Sequence, residues 1–385
     1  MRSDVTILPL FRYFGRDIYS ALSHTGPQGA SVPVGLIATD VGGTPDQHWS
    51  SQDALDKCKG DKPWQWEANF TDSVLWNAMV VPLLRTVHSG VVWYQGENNA
   101  GNPRRYNCSF PAMINDWRAK WANYTDGATD VDFPFGWAQL NSCGQADAYE
   151  NPLFNPKKHT SCGICAPACN ASCLGTLHEW GDAVQGGNID NGFPCLRHAQ
   201  SNTLSLPRTF QAVIIDTPVA SGSIHSPFKQ PCGRRLARGG LAVAYGMPEL
   251  NAVSPVVESV TLSGNRVLVT IVGLGKPETG LGTLTATIGA EVFEVLGNCG
   301  NASAPACWQS TPIVSYNATT ITLMNLPAKP TAVRFLWYIA PYGNTPAQAP
   351  VYVGGLSPMP RGAPLPSEFA KEQLPLGPFI LPLRS

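Results

Sequence analysis

Short apolar runs alternate with longer amphipathic stretches up to about residue 250, and beyond residue 254 the helical period stops. That change of pattern constrains the fold more than any single motif. Residues 10–23 read as a helix, 32–40 as a strand, 73–88 as a helix and 90–95 as a strand. Residues 105–123 follow as a helix with Pro111 near its start, then strands at 133–140 and 209–216 and a closing helix at 233–246. Short apolar strands separated by longer helices predict an α/β fold, with a parallel sheet covered by helices on both faces.

From residue 254 the runs SVTLSGNRVLVTIVG, LTATIGAEVFEVL, TTITLMNL and AVRFLWYIAP are β-rich, with no helical segment between them. They predict a smaller antiparallel β domain over residues 254–345, and the Pro-rich tail 346–385 is expected to run extended over the surface. The larger domain spans 1–250 and is interrupted at 142–190 by a segment with little apolar periodicity. That segment carries Cys162, Cys165, Cys169 and Cys173. These cysteines have spacings that can enclose zinc, but disulfides that staple a coreless loop are the simpler reading.

In a parallel sheet the working residues sit past the C-terminal ends of the strands. Three such places stand out. TDVGGTPDQHWS (39–50) carries two adjacent glycines, which allow a sharp turn and an exposed N–H, though a tight turn alone explains them. Gln95-Gly96-Glu97-Asn98-Asn99 follows the run Val91-Val92-Trp93-Tyr94 and is rich in side-chain amides. Such amides can end a strand as a satisfied polar network, or donate to a developing oxyanion, with Glu97 orienting the donors. Asp216 ends the last strand, and His225 follows nine residues later in a Gly/Ser/Pro loop, where a histidine can act as a base. Phosphate-loop, dinucleotide and G-x-S-x-G signatures are absent.

Composition narrows the partners and the compartment. Net charge is −1 and only 14% of residues are charged, so nucleic acid and anionic membranes are poor partners. No run approaches the roughly 18 apolar residues of a spanning helix. The chain has 11 cysteines and six Asn-x-Ser/Thr sequons, at Asn69, Asn107, Asn123, Asn170, Asn301 and Asn317. Together they predict a secreted or lysosomal protein, with at least one thiol outside the intramolecular pairs.

Eight pieces, collinear over residues 10–246, resemble the sialate O-acetylesterase family of the SGNH (GDSL-like) hydrolase superfamily. They are LFRYFGRDIY, VGLIATDVGGTPDQHWSS, SVLWNAMVVPL, GVVWYQGENN, YNCSFPAMINDWR, FPFGWAQL, FQAVIID and GSIHS. The resemblance implies a three-layer α/β/α domain that hydrolyses acetyl esters of sialic acid or related sugars, with no metal or organic cofactor. It implies His225 as general base, Gly43 as an oxyanion N–H, and Gln95, Glu97 and Asn98 as a block with an amide aimed at the oxyanion. Asn98 stands where the family has a small residue, which leaves Asn99 as the alternative amide. Asp216 is the closest candidate for the acid; the alternative is a Ser–His dyad with a carbonyl orienting the imidazole.

The family's nucleophile lies in a Gly-x-Ser-Asn-type block on a first strand, before the helix that here contains Phe14-Gly15-Arg16. No such block occurs in this chain, and Ser3 sits in none. The opening MRSDVTILPLFRYFG is not a signal peptide. The expectation is therefore a chain without its leader or its first strand, whose neighbours are left with unsatisfied groups costing about 1–3 kcal/mol each. Two rivals follow: a catalytically inactive carbohydrate-binding relative, and an extracellular structural protein with no shared cleft near Gly43, Gln95 and His225.

Overall fold

The computed structural model describes residues 8–23, 33–58, 71–100, 102–141, 192–217, 224–247, 255–273, 283–298, 306–337, 351–354 and 374–384. The predicted insertion 142–190 with its four-cysteine cluster, and the sequons at Asn69, Asn170 and Asn301, lie outside the described residues.

Helix α1 runs Leu8–Leu22, followed by two short turns of helix, α2 (Asp46–Trp49) and α3 (Gln52–Asp56). The predicted helix 73–88 is irregular: a π-helical turn, Trp76–Val80, passes into a 3-10 turn, Val81–Leu83. Pro82 has no N–H to continue the ladder. Strand β1 (Val91–Trp93) precedes helix α4 (Pro103–Tyr124), strand β2 (Phe135–Gln139), helix α5 (Gly192–Asn202), strand β3 (Thr209–Val213) and helix α6 (Lys229–Ala244). The sheet is parallel, in the order β1-β2-β3, with Trp93 beside Trp137 and Trp137 beside Gln211.

All five residues of β2 are buried, so both faces of the sheet are covered. Phe135 and Trp137 point into an aromatic core with Trp93, Phe110, Trp117 and Leu196, under α4 and α5. Ala138 points the other way, toward Leu10, Phe210, Cys232 and Leu236, under α1 and α6. This second side closes tightly because glycines admit it: a Cβ on Gly136 or Gly239 would overlap the Phe210 ring, and one on Gly233 would lie 2.9 Å from the Leu10 carbonyl oxygen. Asn102 caps α4 by accepting from the Arg105 N–H at 3.2 Å.

The β-rich half forms three antiparallel sheets. Strands β4 (Val256–Ser263), β5 (Arg266–Val272), β6 (Thr283–Ala286), β7 (Phe293–Asn298), β8 (Ala306–Thr311), β9 (Ile313–Tyr316), β10 (Thr320–Leu323), β11 (Ala328–Phe335), β12 (Val351–Gly354), β13 (Leu374–Pro375) and β14 (Phe379–Pro382) pair as β4-β5-β10-β9, β14-β11-β7-β8 and β13-β12-β6. Gly264, at φ +62°, makes the β4–β5 turn that Gly264-Asn265 signalled. The described parts of the tail do not lie loosely on the surface: β12, β13 and β14 pair within the sheets and bury Val351, Leu374, Leu376 and Phe379. Val213 and Ile215, from the end of β3, join this β core.

One predicted strand is not found. Residues 33–41 form no strand, and Leu36, Ile37 and Val41 are 47%, 59% and 41% exposed. Leu36 lies over Gly15 of α1. The physical reason is that a strand needs a hydrogen-bonded neighbour, and none of the described strands pairs with this segment.

A disulfide joins Cys58, just past α3, to Cys108 on α4. Among the described cysteines, Cys195 and Cys232 form no disulfide, and burial pushes the Cys195 thiol up to about 12. No helix among the described residues is long and apolar enough to cross a membrane.

Candidate active site

The amide-rich stretch after β1 turns at Gly96, whose φ is +146°. A side chain there would also meet Leu196 Cδ2 at 2.6 Å, so only glycine fits. The chain then makes one 3-10 turn, Glu97–Asn99. From α5, Gln200 Nε2 donates to the Gln95 carbonyl at 3.1 Å and fixes the bend from behind.

Asn99 is the buried hub. Its Oδ1 accepts from the Asp46 N–H at 2.9 Å and from Gln95 Nε2 at 2.6 Å. Its Nδ2 donates to Asp46 Oδ1 at 2.8 Å and to Gln47 Oε1 at 3.0 Å. The Ser109 hydroxyl donates to the other Asp46 oxygen. The bend thus locks α2 in place, and with it the glycine loop just before α2. Two further amides grip that loop directly: Asn98 Nδ2 donates to the Gly43 carbonyl at 2.8 Å, and Gln95 Nε2 to the Thr44 carbonyl at 3.1 Å. The Thr44 hydroxyl donates to the Val41 carbonyl at 2.8 Å and accepts from Trp49 Nε1 at 3.0 Å. Gly43 has φ +72°, and with its carbonyl held, no described residue accepts its N–H.

A cleft of about 270 Å³ opens beside this loop. Its walls include Asp40 to Thr44, Val92 to Gln95, Glu97 and Asn98, His225 from the loop before α6 and Lys229 from the first turn of α6. Five of the six residues singled out from the sequence therefore share one cleft: Gly43, Gln95, Glu97, Asn98 and His225. Asp216 is not among its walls. It is buried and held by a two-pronged ion pair, with Arg235 Nη1 and Nη2 at 2.6 and 2.8 Å from its two oxygens, and it accepts from the Tyr352 hydroxyl at 3.1 Å.

The sequence reading missed Lys229. It is only 5% exposed, donates to the Tyr94 hydroxyl at 3.1 Å and stands 4.3 Å from the centre of the Tyr94 ring. One signal was available: a cation in the first turn of a helix opposes the helix dipole and calls for a nearby anion. The carboxyl in question is that of Glu97, pushed up by burial and pulled back by its own backbone N–H, by Lys229 and by His225. Burial, together with the Glu97 and Cys232 charges, holds the Tyr94 phenol well above its ordinary value, so it stays neutral. No group of three or more His, Cys, Asp or Glu side chains able to hold a metal occurs among the described residues. The arrangement offers an imidazole, one backbone N–H and one side-chain amide around a small space, the donor set that acyl transfer uses.

The sialate O-acetylesterases of Pongo abelii and Homo sapiens are each 33% identical to this chain over 273 residues, 67% of this chain and 43% of theirs. This chain belongs to the sialate O-acetylesterase family. The sialate O-acetylesterase of Rattus norvegicus is 30% identical over 294 residues, 67% of this chain and 46% of its own. This member of the family thus spans less than half the length of the curated relatives it matches. A solved structure of a carbohydrate acetylesterase from Xanthomonas citri covers 97% of this chain and 64% of its own at a TM-score of 0.63; with 24% identity, that likeness speaks for the fold. No protein-family model matches the chain.

Proposed function

We propose that the cleft is the acetyl-ester site of a carbohydrate esterase acting on O-acetylated sialic acid or a related sugar. It sits on an SGNH-type three-layer α/β/α domain over residues 1–250, with the β-sandwich-like domain 254–345 behind it. One observation carries the reading: Gly43, Gln95, Glu97, Asn98 and His225 come from three separate loops and line the same cleft.

In this reading a serine hydroxyl attacks the acetyl carbonyl. His225 takes the hydroxyl proton and returns it to the departing sugar oxygen. The Gly43 N–H and the second N–H of the Asn98 amide receive the oxyanion. Gln95 is a support, because both N–H groups of its amide are already given, to Thr44 and Asn99. Asn99 likewise holds the loop rather than the substrate. Among the described residues no serine lines the cleft. A strand carrying it would lie along the open edge of β1. The Cys58–Cys108 disulfide and the exposed sequon residues Asn123 and Asn317 support an oxidising compartment, secreted or lysosomal.

The test is hydrolysis of p-nitrophenyl acetate and 9-O-acetylated sialic acid by a chain extended upstream to include a Gly-x-Ser-Asn block. Turnover that is lost in His225→Ala supports the esterase. Sugar binding without turnover in the extended chain favours the inactive carbohydrate-binding relative.

A further inference from the structure

Three of the six sequons, at Asn107, Asn123 and Asn317, fall among the described residues, and the fold treats them differently. A glycan is bulky, so a sequon takes one at a surface loop, where its amide nitrogen and its hydroxyl are both in reach. Asn107 is half-buried within α4, and its Oδ1 accepts from Asn202 Nδ2 of α5 at 3.0 Å. The serine of its sequon, Ser109, is 1% exposed and donates to Asp46. Asn123 is exposed but belongs to the last turn of α4. The hydroxyl of its partner Thr125 is used twice: it donates to the Trp121 carbonyl at 2.7 Å and accepts from the Thr129 N–H at 3.0 Å.

Asn317 is placed otherwise. It sits in the turn between β9 and β10, and Asn317, Ala318 and Thr319 are all exposed. Its Oδ1 accepts from the backbone N–H groups of Thr319 at 3.0 Å and Thr320 at 2.8 Å, an Asx turn closed by the Asn317 N–H donating to the Thr320 carbonyl at 2.9 Å. These bonds take the amide oxygen and leave the amide nitrogen without an acceptor among the described residues. The Thr319 hydroxyl meets the neighbouring Thr320 hydroxyl at 3.4 Å and is otherwise open to solvent. Strand β9 is the outer strand of its sheet, in the order β4-β5-β10-β9, so the turn projects from a sheet edge.

We propose that Asn317 is an N-glycosylation site, preferred over Asn107 and Asn123 because its turn presents both the amide nitrogen and the Thr319 hydroxyl. This rests on the secretory reading above and is independent of the ester chemistry. The co-substrate is a lipid-linked oligosaccharide pyrophosphate. Asn317 Nδ2 attacks the anomeric carbon, a C–N bond forms and the C–O bond to pyrophosphate breaks. The lipid pyrophosphate leaves with the bonding pair, and one amide proton passes to a base of the transferase. The Asx turn survives the reaction, because it uses the amide oxygen.

The experiment expresses the full chain behind a cleavable secretory leader in mammalian cells and pools the protein from cells and medium. Peptide N-glycosidase in water enriched in heavy oxygen converts each glycosylated Asn to a labelled Asp, which peptide mass spectrometry counts. Label is expected at Asn317 in most molecules, and at Asn107 and Asn123 in fewer. Thr319→Ala keeps the backbone N–H groups that hold the Asn317 oxygen and should abolish label at Asn317; Thr319→Ser, which returns a hydroxyl, should restore it. An unlabelled Asn317, more label at Asn107 or Asn123 than at Asn317, or label that survives Thr319→Ala overturns the proposal. The leader supplies the routing, so an unlabelled Asn317 counts against the site itself and leaves the compartment reading and the esterase reading to their own tests.

Discussion

Replacing Asn99 with alanine removes four hydrogen bonds at once: two accepted by its Oδ1, from the Asp46 N–H and Gln95, and two donated by its Nδ2, to Asp46 and Gln47. Asn99 is only 1% exposed, and so are Asp46 and Gln47, so water does not replace the lost partners. One bond goes to a carboxylate, worth about 1.5–3 kcal/mol, and the neutral ones contribute about 0.5–1.5 kcal/mol each. Part of that sum is recovered by relaxation, so the expected loss is about 3–5 kcal/mol. At about 2–4 °C per kcal/mol for a domain of this size, the unfolding midpoint should fall by roughly 6–20 °C. Urea unfolding followed by circular dichroism measures the free energy directly. Asn98→Ala is the matched control. It removes a single exposed bond to the Gly43 carbonyl and should cost at most about 1 kcal/mol, while reducing ester turnover in the extended chain. A loss below about 1 kcal/mol in Asn99→Ala, or equal losses in the two variants, would refute the division between a hub that builds the loop and an amide that works on it.

Three other perturbations separate structure from chemistry. Asp216→Asn breaks the buried pair with Arg235 and should destabilise by about 3–5 kcal/mol in the same urea assay, as a structural ion pair requires. Removing the Cys58–Cys108 disulfide, whose partners are 50 residues apart, should cost up to about 4 kcal/mol, read as a drop in thermal midpoint under oxidising conditions. Burial lowers His88 and His198 to about 4 from an ordinary 6.5, so the folded state binds fewer protons than the unfolded one; stability is complete above about pH 6.5 and should fall as pH drops toward 4, with differential scanning calorimetry at pH 7 and pH 5 as the check.

Much of the α/β half was legible because its elements are decided locally. Phe135 to Gln139 is apolar enough to be a strand buried on both faces, and Leu10, Phe14, Ile18 and Leu22 repeat at a helical spacing. Helix α5 was not read: it follows directly on a segment without periodicity, and Arg197 and Gln200 look like surface residues. Both are buried because they bond to backbone, Arg197 to the Leu140 carbonyl at 2.9 Å and Gln200 to the Leu140 N–H at 2.9 Å. Those partners are 57 and 60 residues away in the chain, beyond the reach of any local pattern. The cleft was legible where a motif follows an apolar run, as at Gly43 and Gln95. The partners of Asp216 were not legible, because its position at the end of β3 says nothing of Arg235, which arrives from α6, or of Tyr352, which arrives from the β-rich half.

The unformed strand at 33–41 has a physical cause. Apolar composition says that a segment can pair; only a neighbour makes it a strand. Among the described strands β1 pairs on one side only, with β2, and its Val92 and Trp93 line the cleft. The glycine loop that continues from residues 33–41 lines the same cleft, with Asp40 and Val41 among its walls as are Val92 to Gln95. A strand entering between them would give β1 its second ladder and give Leu36 and Ile37 a partner and cover. Its C-terminal end would then arrive beside Gly43, Asn98 and His225, since parallel strands in such a sheet all end on the side where β1 meets the amide-rich bend. The same insertion that completes the sheet would therefore deliver a side chain to the imidazole.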